Sequence, residues 1–194
     1  LITLNTVDSS AIIGVGSLGS IDRTQFEWLQ QELVIADASH ELIIVMSHHQ
    51  MGDIGFTSPV SGSEVAEALM ASDGVVLHVT GHGHENQKRS FVSAEGDRGY
   101  WELMLASTVD FPMQSRVIEV VDEDNGYLSI YLTNFGHNSP EGSLAHYGRE
   151  LAGAKRAFTA LFTGAVDDFW AEDEVAQNLL LRIKISEQLR ASLA

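Results

Sequence analysis

Two short stretches hold four of the chain's eight histidines: Ser47-His48-His49-Gln50, after the apolar run Leu42 to Met46, and Gly81-His82-Gly83-His84, after Gly74 to Thr80. A neutral imidazole nitrogen is a good ligand for Zn, Mn or Fe, and the chain has no cysteine to offer a thiolate instead. His82 and His84 stand at i and i+2 beside glycines, a spacing that lets both rings approach one centre where the backbone leaves its strand. His48 supplies a third nitrogen. Three protein ligands with one open position form the arrangement of hydrolytic metal sites, in which a divalent ion brings the pKa of water down to about 7. The competing role, a histidine that merely closes its strand with a hydrogen bond, suits a lone residue better than two clusters at equivalent strand ends. His78, inside the second strand, is expected to be a packed and hydrogen-bonded core residue. His40, His137 and His146 lie outside both clusters and are expected to be surface or structural residues.

The elements that must position these groups follow from periodicity and punctuation. Leu1 to Val7 alternates as a strand and leads into a glycine-rich loop through Gly14, Gly16 and Gly19. That loop has neither the spacing of a dinucleotide site nor that of a nucleophilic serine elbow. Asp22 is expected to cap a helix to about Ala36 with Phe26, Leu29 and Leu33 on one face. Leu42 to Met46 and Gly74 to Thr80 are Ile- and Val-rich runs suited to strands covered on both faces. Between them a helix over Ser63 to Ala71 is capped by Ser63 or Ser61. In open α/β sheets ligands bind at the carboxyl ends of strands, so the two histidine clusters are placed to meet in one crevice. Beyond Asn86 the strands shorten and become more polar, over Arg89 to Ser93, Tyr100 to Ala106, Arg116 to Val121 and Tyr127 to Thr133. This half is expected to be antiparallel, with Glu123-Asp124-Asn125-Gly126 as a hairpin turn. Two amphipathic helices are expected after Pro140, over Ser143 to about Phe162 and Glu172 to about Leu193.

The chain has 194 residues and 27 acidic against 11 basic side chains, a net charge of -16. A chain of this size buries roughly 70% of its unfolded surface, enough for its own core. The charge repels a phosphate backbone, so nucleic-acid binding is not expected, whereas divalent cations are attracted. No apolar run approaches the length of a membrane span, about 18 residues, and LITLNTVDSS lacks the basic start of a signal peptide. A soluble chain is expected, with the choice between cytoplasmic and exported left open. A beginning that enters directly into a strand is expected for a fragment or a processed product.

Several of these segments, in order, resemble calcineurin-like metallophosphoesterases. Ile43-Ile44-Val45-Met46-Ser47-His48-His49 and Val79-Thr80-Gly81-His82-Gly83-His84 are similar to the last two metal motifs of that family, and Ile21 to Leu29 is similar to the segment preceding them. Tyr100-Trp101-Glu102, Ala106-Ser107-Thr108 and Asp110 to Arg116 resemble a bacterial subgroup. The resemblance covers residues 1 to 150. It implies an α/β/β/α sandwich whose metal centre hydrolyses phosphate esters, with His48 and His82 on one metal and His84 on its neighbour. His49 occupies a position that is not usually a ligand; it is a group behind the ligands, an acid, or a neighbour only. His49 and Asp53 are the candidate catalytic residues, and Arg89 and Arg116 are candidate phosphate contacts by proximity.

The family's earlier motifs, Asp-x-His, Gly-Asp and Gly-Asn-His, have no counterpart here, and Asp8 and Asp53 match none of them. The expected architecture is therefore half of the sandwich over residues 1–140, with a helical segment over 141–194. The expected function is a mononuclear hydrolase of small phosphate esters using Zn, Mn or Fe. The alternative is an inactive remnant or an oligomerisation domain. Half a sandwich leaves one face and one edge open, which the C-terminal helices or a second copy would cover. A homo-oligomer is the expectation, and sedimentation at micromolar concentration checks it, a monomer counting against it.

Overall fold

The computed structural model describes residues 1–7, 18–136, 138–163 and 177–193. Asp8, Gly14, Gly16 and His137 lie outside the described residues, as does the beginning of the helix expected from Glu172.

The fold is mixed α/β. A five-stranded sheet has the order β1 (Ile2–Thr3), β2 (Ile43–Met46), β3 (Val75–Thr80), β5 (Gly99–Met104), β4 (Gln87–Val92). Its first four members run parallel and β4 is antiparallel to β5. Helices α1 (Arg23–Ala38) and α2 (Gly62–Ala71) pack Phe26, Leu29, Leu33, Val65 and Leu69 against one face. The other face packs Val76, Leu77, Val79 and Leu103 against Leu128, Ile130, Leu132, Leu181 and Ile183. These last five belong to an antiparallel sheet ordered β6 (Gln114–Asp122), β7 (Tyr127–Gly136), β8 (Leu179–Lys184). Helix α3 (Leu144–Thr163) and the short α4 (Glu187–Leu193) bring the helices among the described residues to four, and none of these is long and apolar enough to cross a membrane.

The helices begin where side chains can take the free N–H groups of the first turn. Asp22 accepts from Gln25 N at 2.7 Å, and Ser61 with Glu64 forms a reciprocal capping box. Gly62 is required by proximity rather than flexibility, since a Cβ there would lie 1.8 Å from the Met51 carbonyl oxygen. That contact presses α2 onto the 3-10 turn Met51–Asp53 that follows the first histidine cluster. β3 is buried along its whole length, as the middle of a parallel sheet demands.

Two expectations change. The antiparallel character beyond Asn86 holds for β4 with β5 and for β6 with β7, yet β5 also runs parallel to β3. The helix expected over Glu172 to Leu193 is a strand and a short helix within its described part. Leu181, Ile183 and Ile185 are buried at every second position, and β7 offered an open edge on which period-two burial wins over period 3.6. Leu189 alone of α4 enters the same core. α3 buries Ala152 while leaving Leu144, Tyr147, Leu151 and Phe158 exposed.

A strand at 179–184 makes a prediction that a helix does not. Ile183→Ala is expected to lower unfolding stability by about 2–4 kcal/mol. Leu180→Ala, at a residue 51% exposed on the same strand, should change it by less than about 1 kcal/mol. Equal losses in denaturant titrations of the two variants would contradict the strand.

Candidate metal centre

Parallel pairing of β2 with β3 sets Val45 opposite His78 and Met46 opposite Val79, so both chains leave the sheet at one level. Beyond the last pair, Ser47 N donates to the Val79 carbonyl at 3.0 Å. The His48 carbonyl then accepts from both Gly81 N (3.0 Å) and His82 N (2.9 Å). One acceptor thereby ties the two histidine-bearing loops together. The side chains follow: His48 Nε2 lies 3.1 Å from His82 Nδ1, and the ring centroids are 5.0 Å apart.

The third imidazole of the group is His49. Its centroid is 4.3 Å from that of His82 and 4.8 Å from that of His48. Ligand atoms of His48, His49 and His82 all lie within 4.8 Å of one another. His48 is exposed, His82 half-buried and His49 only 2% exposed. His49 is held from beneath by Thr6, whose Oγ1 accepts from His49 N (3.1 Å) and lies 2.9 Å from Nδ1. From above it is covered by Gly19, where a Cβ would stand 2.8 Å from the ring Cγ. With Nδ1 engaged by Thr6, Nε2 is buried and has no hydrogen-bond partner. A buried nitrogen of this kind costs about 1–3 kcal/mol unless something satisfies it.

These residues fit a divalent ion. Two nitrogens bound tetrahedrally at about 2.0–2.1 Å stand about 3.4 Å apart, close to the separation of His48 Nε2 and His82 Nδ1, and the orphaned His49 nitrogen lies in the same group. Neutral rings are needed, and at His48 and His49 the site favours them. The pKa of His49 is pushed down to about 4, first by burial and then by the repulsion a cation would meet from His82 and His48. Asp53, whose charge pulls the other way, does not reverse this. His48 is held below its ordinary value by burial, then by His82 and His84.

His84 is placed differently. Its backbone is left-handed, at φ 56°, and Nδ1 lies 2.7 Å from Asp110 Oδ2. Asp110 also pairs with Lys155 of α3 at 3.3 Å, and the hydrogen bonds from His84 and Lys155 hold its carboxyl below the usual range. The structure thus joins His48, His49 and His82, whereas His84 stands beside them with its second nitrogen, Nε2, as the one left to act. Asp53 is half-buried on the 3-10 turn and accepts from Gln50 Nε2 at 3.3 Å. Arg89 pairs with Glu102 at 3.8 Å, and Arg116 donates to Asn134 Oδ1 at 2.7 Å. Of the remaining histidines, His78 is fully buried with both ring nitrogens engaged, by Ser47 and Glu102, and His40 is exposed. His146 is half-buried and pairs with Glu150 at 3.5 Å. Sequence reasoning missed Thr6, Gly19 and Asp110 as parts of the site. Thr6 and Gly19 carry no metal chemistry of their own, and Asp110 sits in a segment noticed only for its resemblance.

The His49 shift carries a sign. Its folded pKa lies below the unfolded value, so between pH 6.5 and 4 the unfolded chain binds more protons. The stabilisation is complete above pH 6.5 and is lost as pH falls toward 4. In metal-free protein the loss attributable to this residue is expected to be on the order of 2–3 kcal/mol. It is read as the difference in pH slope of thermal unfolding between wild type and His49→Gln; identical slopes would contradict the burial of an uncharged ring.

No family model matches the chain, and no curated protein does. Among solved structures it is similar to a dimetal phosphatase from Danio rerio, at 16% identity and a TM-score of 0.45. The match covers 61% of this chain and 36% of that one, so the chain spans little more than a third of that protein's length.

Proposed function

We propose that the chain is a metal-dependent hydrolase of small phosphate esters, with one divalent ion, Zn, Mn or Fe, held by His48, His49 and His82. The observation that carries this reading is the orphaned, buried Nε2 of His49 beside two more imidazoles, His48 from its own strand end and His82 from the neighbouring one. The group contains no carboxylate, which favours one ion over a bridged pair. An ion there supplies Lewis-acid chemistry, activating water near neutral pH and polarising a phosphoryl oxygen.

The chain's own residues do the rest. Thr6 and Gly19 hold the His49 ring and keep water from it, and burial keeps the ring uncharged and able to ligate. Asp110, by accepting from Nδ1–H of His84, orients that ring and leaves Nε2 to reach the substrate or the ion. Asp53, close enough to raise the pKa of His49, is the carboxylate available to take a proton. Resemblance of the two histidine segments to metallophosphoesterase motifs supports phosphate esters as the substrate class. The net charge of -16 disfavours polyanions and favours singly charged diesters or small monoesters.

Elemental analysis of purified wild type and His82→Ala after identical handling tests the reading. Near-stoichiometric metal is expected in wild type and a loss of most of it in the variant. Hydrolysis of a nitrophenyl phosphodiester should fall by at least about 100-fold. Wild-type protein without metal under metal-replete growth would sink the proposal, whereas bound metal with no turnover would leave a binding module in its place.

A further inference from the structure

A row of polar, ionisable side chains crosses the five-stranded sheet. Arg89 on β4, Glu102 on β5 and His78 on β3 are successive register partners. Glu102 is 1% exposed and His78 0%. Central strands of a parallel sheet are ordinarily apolar, and a buried pair of this kind is often matched in stability by well-packed hydrophobic residues. Where its hydrogen bonds lead is therefore informative.

They lead to the turn that carries the metal-binding histidines. His78 Nδ1 lies 3.0 Å from Glu102 Oε2, and His78 Nε2 lies 2.8 Å from Ser47 Oγ. Ser47 Oγ donates to the His49 carbonyl at 2.6 Å. Glu102 Oε2 also accepts from Met51 N at 3.0 Å. The network thus grips the backbone on both sides of Gln50, at the His49 carbonyl and the Met51 amide. Proton counting fixes its direction. The one hydroxyl proton of Ser47 goes to the His49 carbonyl, so His78 donates Nε2–H to Ser47, and a further proton lies between Nδ1 and Glu102 Oε2. The links to Ser47, the His49 carbonyl and the Met51 amide are then filled, where an unfilled link is costly, while Glu102 Oε1 is buried without a hydrogen-bond partner.

We infer that Ser47, His78 and Glu102 are positioning residues: they hold the His49–Met51 turn in the one conformation that presents His48 and His49 to a metal beside His82. This rests on the metal reading above and adds to it the device that preorganises the ligands. None of the three belongs to the group that would hold the ion.

The test is direct titration of metal-free protein with Co²⁺, followed by its visible absorption at a temperature well below unfolding. The variants are Ser47→Ala, which removes one hydroxyl, and Ser47→Thr, which keeps it. Ser47→Ala is expected to bind Co²⁺ about 10–100-fold more weakly with a shifted absorption band, and Ser47→Thr to restore both. Wild-type affinity and spectrum in Ser47→Ala would overturn the inference while leaving the metal reading standing. Wild type that binds no Co²⁺ would overturn the metal reading instead. The grip itself is then judged without metal, by hydrogen exchange of the Met51 amide. Glu102→Gln keeps the shape and removes the charge, which should speed that exchange several-fold, because charge-assisted hydrogen bonds are about twice as strong as neutral ones. Unchanged exchange would overturn the grip whether or not metal binds.

Discussion

The candidate site depends on one carbonyl oxygen. His48 O accepts from Gly81 N and His82 N, and through it the loop after β2 is fastened to the loop after β3. Without that pair of hydrogen bonds the loops beyond Ser47 and Thr80 would be joined only at their roots, by Ser47 N to the Val79 carbonyl and by Ser47 Oγ to His78. With it, the His48 and His82 rings stand in hydrogen-bond contact, and the turn that follows brings His49 beneath them. The parallel register of β2 and β3 is the precondition, because it delivers both chains to the same level of the sheet.

Below this crossing the structure is built to hold a ring that would otherwise be unfavourable. Burying an imidazole with an unsatisfied nitrogen and two like neighbours destabilises the fold, and the depressed pKa of His49 registers that strain electrostatically. Thr6 and Gly19 set fixed atoms against it. A proton does not satisfy such a pocket, since a charged His49 would be both desolvated and repelled, whereas the divalent ion proposed above would. The acidic surface raises the local concentration of cations in the same sense.

The elements legible in the sequence are those with local causes. The helix behind Asp22 and the helix behind Ser61 begin at residues whose side chains can cap them, and β2 and β3 are apolar runs that cannot be exposed. Leu179 to Lys184 was not legible in this way. Its apolar residues satisfy a helical face nearly as well as a strand, and the decision belongs to the open edge of β7, more than forty positions away. β5 forms the antiparallel pair with β4 that its sequence suggests, whereas its parallel pairing with β3 is set by the sheet as a whole.

Of the site, the sequence by itself determined the chemistry on offer: histidines at two strand ends, no thiolate, and an excess of carboxylates that attracts cations. It also pointed to one end of a sheet, because the carboxyl ends of neighbouring parallel strands lie side by side whatever their side chains. Only the tertiary structure decided which nitrogens meet. His49 turns inward to join His48 and His82 because Thr6, 43 positions earlier, holds its ring, while His84 turns aside to Asp110, 26 positions later. Those choices rest on hydrogen bonds between residues far apart in the chain, whose distances exist only once the sheet has formed.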